Sequence, residues 1–392
     1  MRKNEGMVAD RVFAPAERSG DRGARYLVVG VLLAGAVAGG CGGGSNKPTA
    51  ASADPTVRQA RADLARAIPP PNAYRGPAGG PAAMARAPVV FIAADLTDGG
   101  IAAVARGVQQ AAGAIGWPLQ ILDGQATTEG EHRAVRSALR SRPGGIILGG
   151  VDAGSLRAAL REARAQGVPV VGWHAAIRPG PDPGAGLAAN VSSQPAAVAR
   201  LAADYAIADS NGYAKVAIFT DSEYSINDRT AGLMASDIKR CRHCSTVQVF
   251  DSPTSTAAIG AVSLVASLLQ HYGDRVGYLL AVNGSYITGA STALTGAGRR
   301  GDQTPYSIVA GQGDESEFSR IRTDEYQKAS VAEPLNLEGW QLIDELNRAR
   351  AGQPASGYVP PPAVITRADV PSGAVFDPPG GYRENYLRIW RG

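Results

Sequence analysis

The sequence predicts an α/β protein made of two lobes, each a parallel sheet flanked by helices, and three observations carry that reading. From Pro88 onward, short runs rich in Val, Ile and Leu alternate with Ala-rich stretches of helical period, separated by Gly, Pro and Asp. These runs are too many for one sheet of ordinary size. The chain is also long enough for two cores, with 392 residues of which 44% are hydrophobic.

In the first series the apolar runs predict strands over Val89 to Ala94, Leu119 to Leu122, Gly145 to Leu148 and Val168 to Trp173. Helical periodicity fills the gaps over Ile101 to Ile115, Glu131 to Arg140 and Ser155 to Gln166, as expected of a right-handed βαβ series. A second series after Asn190 predicts strands near Lys215 to Phe219, Thr246 to Phe250, Val276 to Ala281, Ser307 to Ala310 and Lys328 to Val331. In open α/β sheets ligands sit beyond the carboxyl ends of the strands, so the residues just after each strand are the candidates for a site.

Ahead of this region the chain reads as an export signal. Arg22 and Arg25 precede an apolar run from Tyr26 to Ala38, which is shorter than the roughly 20 residues of a spanning helix. Residues 1–40 are therefore expected to be a removed signal peptide. Ala38-Gly39-Gly40-Cys41 resembles a bacterial lipobox, which implies a lipid on Cys41, although Ala38 stands where such motifs usually carry Leu. Residues 41–87, rich in Gly, Ala, Ser and Pro, read as a flexible tether. A short helix is expected within it around Thr56 to Ala67, with Val57, Leu64 and Ile68 on one face.

Charge excludes one class of partner. Lys and Arg outnumber Asp and Glu by only 39 to 35, and the surplus is spread along the chain, so no nucleic-acid partner is expected. Residues 1–40 hold six basic and four acidic side chains, which accounts for half of the formal net charge of +4. The sequence contains no Gly-x-Ser-x-Gly elbow, His-Glu-x-x-His or phosphate-binding Gly-x-x-x-x-Gly-Lys, so no catalytic residue, metal or cofactor is expected. Cys241-Arg-His-Cys244 reads as a structural disulfide outside the cytosol; a zinc site needs four ligands, and there is no second Cys pair.

Several motifs fall in one order: Leu96-Thr-Asp-Gly-Gly-Ile101, Gly167-Val-Pro-Val-Val-Gly-Trp-His174, Arg229-Thr-Ala-Gly232, Ala281-Val-Asn283, Ile308-Val-Ala-Gly-Gln-Gly313 and Ala329-Ser-Val-Ala-Glu-Pro334. With these, Pro88 to about Asp369 resembles the type I periplasmic binding proteins of the ribose and galactose kind. The resemblance implies two Rossmann-like lobes joined by a three-strand hinge, crossing near Ala189, Glu333 and Val359 and closing on a ligand. The first lobe would be 88–189 plus 334–358, the second 190–333 plus 359–370, and 371–392 a tail helix packed on one lobe. It implies no enzyme. The expected role is a monomer that captures a small polar ligand, sugar-like or polyol-like, and delivers it to an ABC permease, held to the outer face of the membrane by lipid on Cys41. A ligand-sensing lipoprotein that signals to a membrane receptor fits the same residues.

The resemblance also implies the pocket. Asp98 and Ile101 follow the first strand, and Asp98 is equally suited to cap the next helix. After the fourth strand, where ribose binders carry Asp-Arg, this chain has His174-Ala175, with Trp173 offering either a stacking surface or core. Arg229 is the expected cation on ligand oxygens, or else a surface residue beside Asp228. Asn283 and Gln312 stand where relatives place amides or carboxylates, and Glu333 adds an anion at the hinge. Tyr224 is a weaker candidate platform, as is Tyr286. That set suits a polyhydroxylated or amine-bearing molecule better than a phosphate or an apolar one.

Overall fold

The computed structural model describes residues 54–68 and 74–392; the expected signal peptide, the lipobox and Cys41 lie outside the described residues. Two six-stranded sheets form the frame. The first contains β1 (Val89–Ala93), β2 (Leu119–Asp123), β3 (Gly145–Gly149), β4 (Val170–Trp173), β5 (Gly180–Asp182) and β6 (Leu187–Val191), in the order β2-β1-β3-β4-β6-β5. The second contains β7 (Lys215–Thr220), β8 (Ser245–Asp251), β9 (Tyr278–Ala281), β10 (Tyr306–Ala310), β11 (Gln327–Ala332) and β12 (Ala363–Thr366), in the order β12-β11-β10-β9-β7-β8. The helices are α1 (Pro55–Arg66), α2 (Gly99–Ala114), α3 (Thr128–Arg140), α4 (Arg157–Ala165), α5 (Pro195–Asp209), α6 (Ser225–Ile238), α7 (Ala257–Tyr272), α8 (Gly284–Gly296), α9 (Glu315–Thr323), α10 (Leu335–Arg350) and α11 (Tyr382–Arg391). None of them is long and apolar enough to cross a membrane.

Strand position follows from composition. β1, β3, β4 and β9 are buried at every residue, as expected of central parallel strands covered on both faces, whereas β2 and β8 at the edges expose Gln120, Ile121, Gln248 and Val249. The sheets are not wholly parallel: β5 runs antiparallel to β6, and β12 to β11. Both β6 and β12 go unread in the sequence, because Leu-Ala-Ala-Asn-Val and Ala-Val-Ile-Thr are too short to show a period.

The chain leaves the first sheet after Val191, passes Ser192 to Gln194 and enters α5. The expected crossing at Ala189 lies inside β6, paired with Val171 of β4, so the passage falls a few residues later. A second passage runs through Glu333 and Pro334 into α10, which packs on α2, β4 and β6 of the first lobe. The third leads from α10 to β12, and the Ser193 hydroxyl donates to Pro360 O at 2.7 Å, fastening the first passage to the third.

The segments flanking this frame are packed. Helix α1 buries Val57 and Ala60 against the core of the second lobe, beside α5, while Ile68 stays exposed. Residues 74–86, expected as tether, lie on the first lobe instead. Asn347 donates to Pro81 O and Ala82 O at 3.1 Å, Arg348 donates to Gly79 O at 2.6 Å, and Ala83 N donates to Trp390 O at 2.9 Å. A Gly- and Pro-rich segment builds no core of its own, but its carbonyls are ready acceptors, and these side chains use them.

Helix α11 completes the cover over α10. Trp390 stacks on Trp340 with centroids 5.6 Å apart and planes 6° off parallel, and its Nε1 donates to Asp344 Oδ1 at 2.9 Å. Asp344 also accepts from Arg348 Nε at 2.7 Å. Helix α10 therefore buries Glu338, Asp344, Glu345 and Arg348, residues that a surface helix would show to water. Trp390→Ala removes the stack and leaves Asp344 short of a donor, so it should lower unfolding stability by about 3–5 kcal/mol in urea titration.

Candidate functional site

The carboxyl ends of both sheets face one cleft, which encloses a cavity of about 300 Å³. That is the small end for ligand sites and matches a monosaccharide-sized molecule better than a dinucleotide. Its first wall comes from the loops after β1 and β4, its second from the starts of α6, α7 and α8, and its floor from the loop after β10 and the hinge at Glu333.

Two helix N-caps meet across the cleft. Asp98 caps α2 by accepting Ile101 N at 2.9 Å, and Asn283 caps α8 by accepting Ser285 N at 2.8 Å. The free end of each cap then reaches the other: Asn283 Nδ2 donates to Asp98 Oδ2 at 2.6 Å. Gln312 Nε2 adds bonds of 3.2 Å to both oxygens of Asp98. Burial pushes the Asp98 carboxyl up, and the bonds from Ile101, Asn283 and Gln312 offset this in part. A second latch joins the lobes where Ser225 N, at the start of α6, donates to Asp152 Oδ2 at 3.0 Å.

At the hinge, Glu333 is 3% exposed, and its Oε2 is hydrogen-bonded to His174 Nε2 at 3.0 Å and accepts from Ser193 N at 3.2 Å. His174 stacks on Trp173 with centroids 3.9 Å apart, and Trp173 Nε1 donates to Glu338 Oε2 at 2.8 Å. The backbone of His174 is left-handed, with φ of 54°, a conformation few non-glycine residues adopt. Asn190 holds it there. Its side chain accepts from Ala175 N at 2.9 Å and donates to Ala176 O and Arg178 O at 3.0 and 2.9 Å, fixing the loop that carries the imidazole.

Burial sets the charge states. It pushes Glu333 from its usual 4.5 up to about 7, and it drives His174 from 6.5 down to about 4. Glu338, fully enclosed beside Glu333, is raised further, first by burial and then by that neighbouring charge. The imidazole is thus neutral at pH 7, and a single proton serves the bond between its Nε2 and the carboxyl.

Of the residues expected from sequence, Asp98, Ile101, Trp173, His174, Tyr224, Asn283, Gln312 and Glu333 all line this cavity. Trp173 is also core, so its two expected roles coincide. Tyr286 is buried below the site, donating from its hydroxyl to Thr220 O at 2.9 Å. Arg229 is the correction. It is exposed on α6, while Ile226, Asn227 and Thr230 of the same helix face the cavity. One residue is about 100° of helical turn, enough to carry the guanidinium away from the cleft. Asn227, Thr230, Thr254 and Ser285 line the site without having been marked in the sequence, and only Asn227 and Thr230 leave a trace there, as neighbours on one helical face. Cys241 and Cys244 are joined by a disulfide on the second lobe, and among the described residues no group of His, Cys, Asp or Glu is placed to hold a metal ion.

Residues 89–354 match the family model described as a periplasmic binding protein domain, which spans most of the chain. The chain belongs to that family. No curated protein matches it by sequence. Solved structures with the same fold include a sugar ABC transporter from Yersinia enterocolitica, at 18% identity and TM-score 0.66, covering 79% of this chain and 95% of that one. A glucose-galactose binding protein from Geobacillus stearothermophilus has 18% identity and TM-score 0.64, over 74% and 100% of the two chains. An ABC transporter solute-binding protein from Agrobacterium vitis, bound to α-D-tagatopyranose, has 15% identity and TM-score 0.64, over 74% and 97%. At these identities the likeness extends to the fold: two lobes, two mostly parallel sheets and a cleft between them.

Two outcomes test the site. A Cβ at Gly99 would lie 2.8 Å from Asp314 Cγ across the cleft, so Gly99→Ala should hold the lobes apart and raise the radius of gyration in solution scattering. The second concerns pH. Folded Glu333 keeps its proton up to about 7 while the unfolded chain releases it near 4.5, so its contribution to stability is present below 4.5 and lost as pH rises through 7. Glu333→Gln lacks this loss, and its melting temperature relative to the parent protein should climb across that window and then level off.

Proposed function

We propose that the protein is an extracytoplasmic solute-binding protein that captures a small polyhydroxylated molecule, sugar-like or polyol-like, by closing its two lobes. It then delivers that molecule to an ABC importer and catalyses nothing itself. The observation that carries this reading is the interlobe cavity, whose walls close on each other through Asp98, Asn283 and Gln312. A pocket made half from each lobe gives a ligand better contacts in the closed arrangement than in the open one, which is what drives closure. Its size suits a monosaccharide, and Asn227, Thr230, Thr254 and Ser285 supply the neutral donors and acceptors that hydroxyl groups pair with. The solved relatives described as sugar-transport components support the same class of cargo. Export with retention at the membrane through a lipid on Cys41 belongs to this proposal, since such an anchor keeps a delivering protein beside its permease.

A thermal-shift screen against neutral and amine-bearing sugars and polyols, after unfolding and refolding to strip copurified ligand, tests the reading. A true ligand at 100 times its dissociation constant adds about 2.7 kcal/mol of stability, a shift of several degrees. Asn227→Ala should weaken that ligand by about ten-fold in calorimetry with the fold intact. Silence across every sugar and polyol would refute the proposed cargo.

A further inference from the structure

With Arg229 turned to solvent, no lysine or arginine lines the cavity, while three carboxyl groups do: Asp95, Asp98 and Glu333. Asp98 is fully occupied by the protein, and Asp95, though only its Oδ1 is bonded, is half-exposed and so already hydrated. Asp95 Oδ1 accepts from Thr97 N at 2.8 Å and from Thr97 Oγ1 at 2.7 Å, and Asp98 holds its helix cap and the two amides of the opposite lobe. Glu333 is different. It is almost wholly buried, both nitrogens bonded to it, His174 Nε2 and Ser193 N, lie at Oε2, no nitrogen among the described residues reaches Oε1, and its other hydrogen-bond neighbour is a second acid, Glu338.

We propose that the ligand carries a protonated amine together with its hydroxyl groups, and that the ammonium seats against Glu333. This deepens the solute-binding reading and rests on it. Every group around Glu333 is neutral or acidic: the imidazole after β4, the backbone amide of Ser193, the carboxyl of Glu338 on α10 and, further off, Asp98 at the start of α2. Neutral donors orient an anion without cancelling its charge. A buried carboxylate left in that condition is costly, and a ligand cation is the natural way to relieve it. The elevated proton affinity of Glu333 agrees, since in the absence of a cation a proton takes that place. The same charge pattern repels phosphorylated or carboxylated sugars, which would find three acids and no base.

Matched series decide the matter: galactose, galactosamine and galacturonate; glucose and glucosamine; glycerol and its amine analogue serinol, each titrated into the refolded protein by calorimetry. The expected result is that an amine member binds at least about ten-fold tighter than its hydroxyl twin, with galacturonate silent. Its affinity should increase between about pH 6 and pH 8, as Glu333 gives up its proton, so long as the amine stays charged. Glu333→Gln should bring the amine and its twin to similar affinity. Because the wild-type series already discriminates, the proposal stands or falls even if that variant folds poorly. Neutral sugars binding as well as their amines, at either pH, would overturn the charge assignment and leave the solute-binding reading standing. No binding by any member would remove both.

Discussion

At the centre of the closed cleft stands the bond between two helix caps. Asp98 and Asn283 are each fixed by a backbone amide of the helix they begin, so neither side chain is free to turn away. Their remaining polar atoms point at each other across the lobes, and Gln312 reinforces the pair. Because capping has already ordered these side chains, little further entropy is lost when the lobes meet. Gly99 and Gly100 allow the approach, since Asp314 and Gln312 of the other lobe occupy the space where their side chains would begin.

The hinge uses a different economy. Glu333 lies in the second passage and is bonded to Ser193 of the first, next to Glu338 and beside His174, and the region is dense in buried acids. Such groups stabilise a fold poorly, and their place beside the cavity agrees with the proposed part of this hinge in holding a ligand. Asn190 and the strained backbone of His174 fit that view: the protein spends several hydrogen bonds to hold one imidazole in an unfavourable conformation facing the cavity.

Much of this was legible in the sequence. The nine runs all became strands, seven of them buried along most of their length as a continuous apolar run implies, and eight of the ten residues marked as pocket candidates line the cavity. Arg229 misled for a geometric reason: residue type marked it as a ligand contact, but a helix decides direction by phase, and the phase favours Asn227 and Thr230. The flanking segments were illegible for another reason. Composition reports whether a segment can build a core, and Tyr74 to Arg86 cannot; it does not report whether Asn347 and Arg348 stand nearby to bind its carbonyls.

Those flanking segments give the molecule a mechanical character. Helix α1 is seated on the second lobe, whereas residues 74–86 lie on the first, so the chain ahead of β1 touches both jaws of the cleft. A pull on the amino-terminal side is felt first by the second lobe and only afterwards by the first. Under the proposed anchoring at Cys41, the mooring line and one jaw of the cleft would be parts of one linkage, and a load on the line would bear on the opening and closing of the lobes.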